Sequence, residues 1–156
     1  ERFLNWASRR IRTEAAGFPP IYVWSSALTF AFVADPIRVL IVDDHAVVRS
    51  GIRLLLARES DIEPVGEAGT GRDAVFEARA LKPHVILMDV VMPGVNGFQA
   101  TRALTSDEAT KHIPVVLCTS KNQETDKVWG MRQGAKDYVT KPIDEKELMG
   151  KIAALA

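Results

Sequence analysis

Residues 84–97, HVILMDVVMPGVNG, decide the fold. A short apolar run bounded by turn residues predicts a strand buried on both faces. Pro93-Gly94 and Gly97 forbid its continuation. Asp89 is therefore left at the carboxyl end of a central strand, where the chain turns out of the sheet. A carboxylate there is costly to desolvate unless something offsets it, which makes Asp89 a candidate functional residue.

Outward from that strand, the same two signals alternate. Residues 38–43 (RVLIVD) predict a first strand, and 46–59 carry apolar residues at helical spacing. A strand over 62–68 and a helix over 71–82 follow, then the strand 85–89 itself. Beyond it come a helix over 97–110, a strand over 114–119, a helix over 123–134, a short strand over 136–140 and a closing helix over 144–156. Five strand-then-helix repeats with short connections predict an α/β fold, a doubly wound five-stranded parallel sheet covered by helices on both faces.

The totals narrow the class. At 156 residues, 47% hydrophobic and 26% charged, the chain has room for one globular domain with a real core plus an appendage. Twenty basic residues balance twenty acidic ones, so nothing in the bulk charge points to nucleic acid. Four arginines against Glu1 and Glu14 give residues 1–34 a net charge of +2, leaving −2 for the rest. The lone Cys118 lies in an apolar run and reads as a small buried residue, and no disulfide can form within the chain. The longest apolar stretch, 21–34, is shorter than the roughly 20 residues that span a bilayer. Arg9, Arg10 and Arg12 precede it as in a secretion signal, but Pro19-Pro20 intervenes and no small-x-small site follows. A cytoplasmic protein without a membrane span is expected.

The five-strand count is complete without residues 1–34, which are expected to lie outside the domain at 35–156, as a flexible or extraneous N-terminal extension. Pro19-Pro20 and Asp35-Pro36 mark its hinges. Phe3, Leu4, Ala7 and Ile11 can share one helical face opposite Arg2, Arg9, Arg10 and Arg12, a pattern suited to an anionic surface or a partner.

In a doubly wound sheet the working site lies at the carboxyl ends of the strands. Here those ends carry Asp43 and Asp44, Asp89, Thr119 with Ser120, and Lys141 with Pro142. Three carboxylates in one cleft repel one another, and Mg²⁺, which favours oxygen ligands, is the usual remedy. Lys141 adds a compact positive charge able to pair with a carboxylate or a phosphate. Thr119 can donate to a phosphoryl oxygen. With charge drawn from a phosphate donor in this way, Asp89 can act as nucleophile and become an acyl phosphate.

Four segments then carry a resemblance. VDDH (42–45), LMDVVMPGVNG (87–97), VVLCTS (115–120) and DYVTKP (137–142) resemble, in order and spacing, the motifs of the receiver domain of two-component response regulators, over residues 37–156. The resemblance implies a flavodoxin-like receiver fold with strand order 2-1-3-4-5. It implies Asp89 as phosphoacceptor, and Asp43, Asp44, Asp89 and the backbone carbonyl of Val91 around Mg²⁺. Thr119 and Tyr138 become the switch pair, Lys141 the phosphate-sensing lysine, and Lys141-Pro142 a cis peptide. Segments 97–116 and 121–148 resemble the PilH-type regulators of type IV pilus twitching motility. Segments 37–56 and 61–75 are similar instead to receivers that precede a DNA-binding domain.

Other readings fit less well. GEAGTGR (66–72) lacks the Gly-Lys-Ser/Thr ending of a phosphate loop and reads as a turn before a helix. His45, His84 and His112 have no metal-ligand spacing and read as surface residues. Haloacid-type phosphatases need a second Asp two residues after the nucleophile, where this chain has Val91. In the fourth helix, Val128 and Met131 are expected in an inward stripe with Thr125 and Ala135, leaving Trp129 to one side as a partner contact. Val91 and Lys121 are expected to flank the path of the water that attacks the acyl phosphate.

The function expected is that of a single-domain response regulator, not a classical enzyme, phosphorylated by a sensor histidine kinase. It would signal by a phosphorylation-dependent protein contact through the fourth helix, fifth strand and fifth helix, in pilus-based or chemotaxis-like motility, with no direct nucleic-acid binding. The alternatives are the receiver fragment of a DNA-binding transcription factor and a phosphate sink draining a shared kinase.

Overall fold

The computed structural model describes residues 35–120 and 124–156. The expected extension at 1–34 and Lys121 lie outside the described residues.

Five strands, β1 (Ile37–Val42), β2 (Ile62–Ala68), β3 (Val85–Asp89), β4 (Val115–Thr119) and β5 (Asp137–Thr140), form one parallel sheet in the order β2-β1-β3-β4-β5. Five helices alternate with them: α1 (Ala46–Leu56), α2 (Gly71–Leu81), α3 (Gly97–Ser106), α4 (Glu124–Arg132) and α5 (Glu145–Leu155). The fold class and strand order implied by the sequence are those observed.

Side-chain alternation divides the core in two. Val39 and Ile41, Val85 and Leu87, and Val116 and Cys118 pack with Ile52 and Leu56 of α1 and Leu148 and Ile152 of α5. Leu40 and Val42, Ile86 and Met88, and Val115 and Leu117 face the other way, onto Ala74, Ala78, Ala100 and Leu104 of α2 and α3. Every residue of β3 and β4 is buried. This is why their sequences read as continuous apolar runs rather than alternating ones. At the edge, the β1–β2 register slips between Val39 and Leu40, which pair with Pro64 and Gly66. Pro64 has no N–H for the ladder, and only an edge strand with an irregularity tolerates that.

Two expectations need correction. The helix expected over 97–110 ends at Ser106 because Asp107 leaves helical geometry. Its carboxylate accepts from Ala109 N at 3.0 Å and from Arg79 Nε at 2.6 Å. Thr110 Oγ1 donates to Leu104 O at 2.8 Å, so side chains take over the backbone partners that another helical turn would have used. The second correction concerns α4. Val128 and Met131 are not inward but about half exposed, at 46% and 47%, beside Trp129 at 52%. Gly130 faces the sheet instead: a Cβ there would fall 2.3 Å from Leu117 Cδ1 and 3.3 Å from Phe98 Cε1. The helix lies so close to β4 that a β-carbon at its point of contact would displace the tip of Leu117, and its large apolar residues remain outside.

Candidate functional site: an acidic pocket at the carboxyl edge of the sheet

Register brings the site together. Val42 pairs with Met88, so Asp43 and Asp89 come next to each other where their strands end. Asp89 pairs with Cys118, and Thr119 with Thr140, placing Thr119 and Lys141 on the same edge. Asp43, Asp89 and Thr119 are all nearly fully buried.

The β3–α3 turn is built around Asp89. Gly97 N donates to Val90 O at 3.0 Å, and a Cβ on Gly97 would lie 2.0 Å from Asp89 O, so only glycine permits this approach. Asn96 and Gln99 close a reciprocal capping box at the start of α3. Gly94 has φ +76°, a conformation that β-carbons disfavour. The turn residues that end the strand in sequence thus also hold its last carboxylate in place.

A second set of contacts fixes the β1–α1 turn. Arg49 Nη1 donates to Asp43 O at 2.7 Å while its Nε pairs with Glu67 Oε2 at 3.1 Å. Arg53 Nη1 holds the other Glu67 oxygen at 2.8 Å. The hydrogen bond from Arg53 lowers the Glu67 pKa despite partial burial, so the carboxylate stays charged between its two arginines. The sequence reading singled out none of these three residues, because their signal is a meeting of α1 and β2 across the chain.

Lys141 Nζ bridges Asp43 Oδ2 at 2.6 Å and Asp89 Oδ1 at 2.8 Å. Burial raises the Asp89 pKa; the bonds from Lys141 oppose this, and the charges of Asp43 and Asp44 reinforce it. For Lys141, burial acts to lower the pKa, but its two carboxylate partners outweigh that and the net shift is upward. One ammonium therefore serves two of the three carboxylates. The third is left over: Asp44 Oδ1 is closed off from solvent and accepts no hydrogen bond among the described residues. His45 Nδ1 lies 2.8 Å from it, close enough for an ion pair if protonated, yet without hydrogen-bond geometry. An orphaned buried oxygen inside a set of hard oxygen donors is what a divalent cation would satisfy, so these residues fit the ion that the acidic cluster implies.

The remaining expected residues are placed as follows. Lys141-Pro142 is cis. Tyr138 is half-buried against the α2–α3 side of the core, its ring between Lys127 Nζ at 4.5 Å and Lys151 Nζ at 4.7 Å. Lys151 also reaches Asp137 at 2.8 Å, Glu147 at 3.1 Å and the Tyr138 carbonyl. The Val91 side chain is 58% exposed, beside the buried Asp89. His45, His84 and His112 are exposed as expected, but His45 was passed over as a neighbour of the acidic cluster. Its signal was adjacency to the Asp43-Asp44 pair, not spacing to another histidine. Cys118 is buried, and burial pushes its thiol pKa up to about 12, in keeping with a packing role. Among the described residues no helix is long and apolar enough to cross a membrane.

With this geometry in place, comparison with known proteins is decisive. The family model for the response regulator receiver domain matches residues 39–153. The chain belongs to the response regulator receiver family. It is 52% identical to Protein PilH of Pseudomonas aeruginosa over 118 residues, which is 76% of this chain and 96% of that protein. A likeness of that length is not confined to the second half of the receiver. It is 40% identical to the response regulators PleD of Caulobacter vibrioides and GacA of Pseudomonas protegens, over 119 and 116 residues. The chain spans only 26% of PleD and 54% of GacA. Among solved structures, the response regulator domain of Thermotoga maritima CheB shares the fold with TM-score 0.71 and 34% identity, over 77% of this chain and 96% of that one. The Vibrio cholerae chemotaxis protein CheY4 does so with TM-score 0.70 and 26% identity, over 78% and 99%.

Proposed function

We propose that this receiver takes a phosphoryl group from a histidine kinase onto Asp89 and signals through a protein contact that depends on it, in the pilus-based motility implied by its resemblance to PilH-type regulators. The observation that carries this reading is the pairing of buried Asp89 with Lys141 beside an unsatisfied Asp44 oxygen.

An Asp89 carboxylate oxygen attacks the phosphorus, the P–N bond of the donor phosphohistidine breaks, and the leaving imidazole takes up a proton. Asp43, Asp44, Asp89 and the Val91 carbonyl would hold Mg²⁺, which supplies charge neutralisation for the phosphoryl oxygens. Lys141, already in contact with Asp89, moves its ammonium onto the phosphoryl group, and Thr119 donates to another of its oxygens. Tyr138 follows Thr119 inward, a two-state change biased by local charge that is read out on α4, β5 and α5. The phosphoryl group is received on the protein's own Asp89, so the protein acts as a phosphoacceptor and not as a classical enzyme. A cytoplasmic location suits a kinase partner of this kind. Every pocket residue named here falls in the domain proposed at 35–156.

The test is chemical. With Mg²⁺ and acetyl phosphate the protein gains one acid-labile, hydroxylamine-sensitive phosphoryl group, seen by intact-mass spectrometry, and Asp89→Asn gains none. Full labelling of Asp89→Asn would overturn the assignment. The exposed Val91 side chain offers no hydrogen bond to orient an attacking water, so Val91→Asn should shorten the acyl-phosphate lifetime. An unchanged decay rate would remove Val91 from that role.

A further inference from the structure

We propose that His45 is itself a ligand of the cation held at Asp43 and Asp44. The nitrogen donor makes this site favour divalent ions of the later first transition series, such as Ni²⁺, beyond what an all-oxygen site allows. The inference rests on the reading that the acidic pocket holds a divalent ion, and it names which ions that pocket selects.

The distances are those of a coordination shell. His45 Nδ1 lies 2.8 Å from Asp44 Oδ1 and 3.4 Å from Asp43 Oδ1. One donor atom from each of the three residues lies within 4.8 Å of the other two. An octahedral ion with bonds of about 2.1 Å sets adjacent ligand atoms about 3 Å apart and opposite ones about 4.2 Å apart. The two His45 separations, 2.8 Å and 3.4 Å, match adjacent positions of such a shell.

A simple ion pair explains the arrangement less well. The Asp44 Oδ1 contact lacks hydrogen-bond geometry, and that oxygen has no other partner among the described residues. The imidazole is 69% exposed, where pairing with a carboxylate adds little to stability. Nor does the ring serve the helix it precedes, since His45 is the N-cap of α1 and makes no side-chain cap. Its backbone, by contrast, is fixed on the same carboxylate that it approaches. His45 N donates to Asp43 Oδ1 at 2.8 Å, His45 O accepts from Arg49 N at 3.1 Å, and Arg49 in turn holds Asp43 O. The ring is thus delivered to the rim of the pocket with a nitrogen turned toward the acidic oxygens.

Selectivity follows from ligand type. Mg²⁺ keeps an oxygen shell and gains little from imidazole, whereas Ni²⁺ and its neighbours bind imidazole strongly. The experiment is calorimetric titration of the full chain and its His45→Ala and His45→Asn variants with Ni²⁺ and with Mg²⁺. Asparagine preserves a capping residue for α1, so a loss shared by both variants is not a fraying effect. The result expected is a loss of Ni²⁺ affinity of about tenfold or more with a change in Mg²⁺ affinity of less than about twofold. Pulsed EPR of one equivalent of bound Cu²⁺ should show imidazole ¹⁴N coupling in the parent protein that both variants lack. Equal losses for Ni²⁺ and Mg²⁺, or bound Cu²⁺ without ¹⁴N coupling, would overturn the inference while leaving the cation site intact. Absence of any Mg²⁺ or Ni²⁺ binding in the parent protein would overturn both the inference and the reading beneath it.

Discussion

Helices α3 and α4 follow neighbouring strands of the sheet, yet they are held in opposite ways. α3 starts with a complete capping box, buries Gly97, Ala100, Thr101 and Leu104, and presses its first residue onto the backbone of Asp89. α4 turns Val128, Trp129 and Met131 outward and meets the sheet through Gly130. The helix after β3 is over-determined, while α4 has little buried apolar surface among its described residues to fix its position. The proposed function needs both conditions. The proposed nucleophile must stay where it is, and the element proposed to report its modification must be free to settle in a second place, which only a weakly anchored element can do cheaply.

Three substitutions probe that contrast, in falling order of effect. Gly97→Ala puts a methyl group within 2.0 Å of a backbone carbonyl that cannot rotate away. It should cost about 3 kcal/mol or more by urea denaturation, at the upper end for overpacking, and impair phosphorylation through displacement of Asp89. A neutral Gly97→Ala would remove the claim that this junction is rigid. Gly130→Ala meets an equally short distance, but to the tip of the Leu117 side chain, which can change rotamer. The strain is offset by roughly 1 kcal/mol of helix propensity, so the net loss should be about 1 kcal/mol. A loss as large as that of Gly97→Ala would show α4 to be as tightly seated as α3. Trp129→Ala, at a half-exposed position, should move stability by only about 0.5 kcal/mol. It should nonetheless blunt any partner binding that phosphorylation promotes, measured by pull-down or calorimetry with beryllofluoride as the acyl-phosphate mimic. A stability loss of several kcal/mol would return Trp129 to the core.

The legibility of the chain divides along the same line. β3 and its turn were readable because local chemistry and tertiary role coincide there: the apolar run, Pro93, Gly94 and Gly97 all state one outcome. The end of α3 was not, because Asp107 looks like a tolerable helix residue until Arg79, 28 positions away, is seen to hold its carboxylate. α4 was misread because helical spacing of Val128 and Met131 predicts an inward stripe only if the helix buries its largest residues. Here the inward position belongs to Gly130, and no periodicity rule assigns a core role to a residue without a side chain.

By itself the sequence determined the alternation of strands and helices, the chemistry gathered at the strand ends and, through its four motifs, the family. Those depend on local patterns of polarity and backbone freedom, which a chain carries wherever it is read. Only the tertiary structure decided that one lysine serves two carboxylates and leaves Asp44 Oδ1 without a hydrogen bond among the described residues. It likewise decided that Glu67 steadies Asp43 through Arg49, that His45 reaches the acidic oxygens, and that α4 shows its apolar residues to solvent. Each of these depends on distances of a few ångströms between side chains brought together by packing, and spacing along the chain does not encode which of several neighbours a charge will meet.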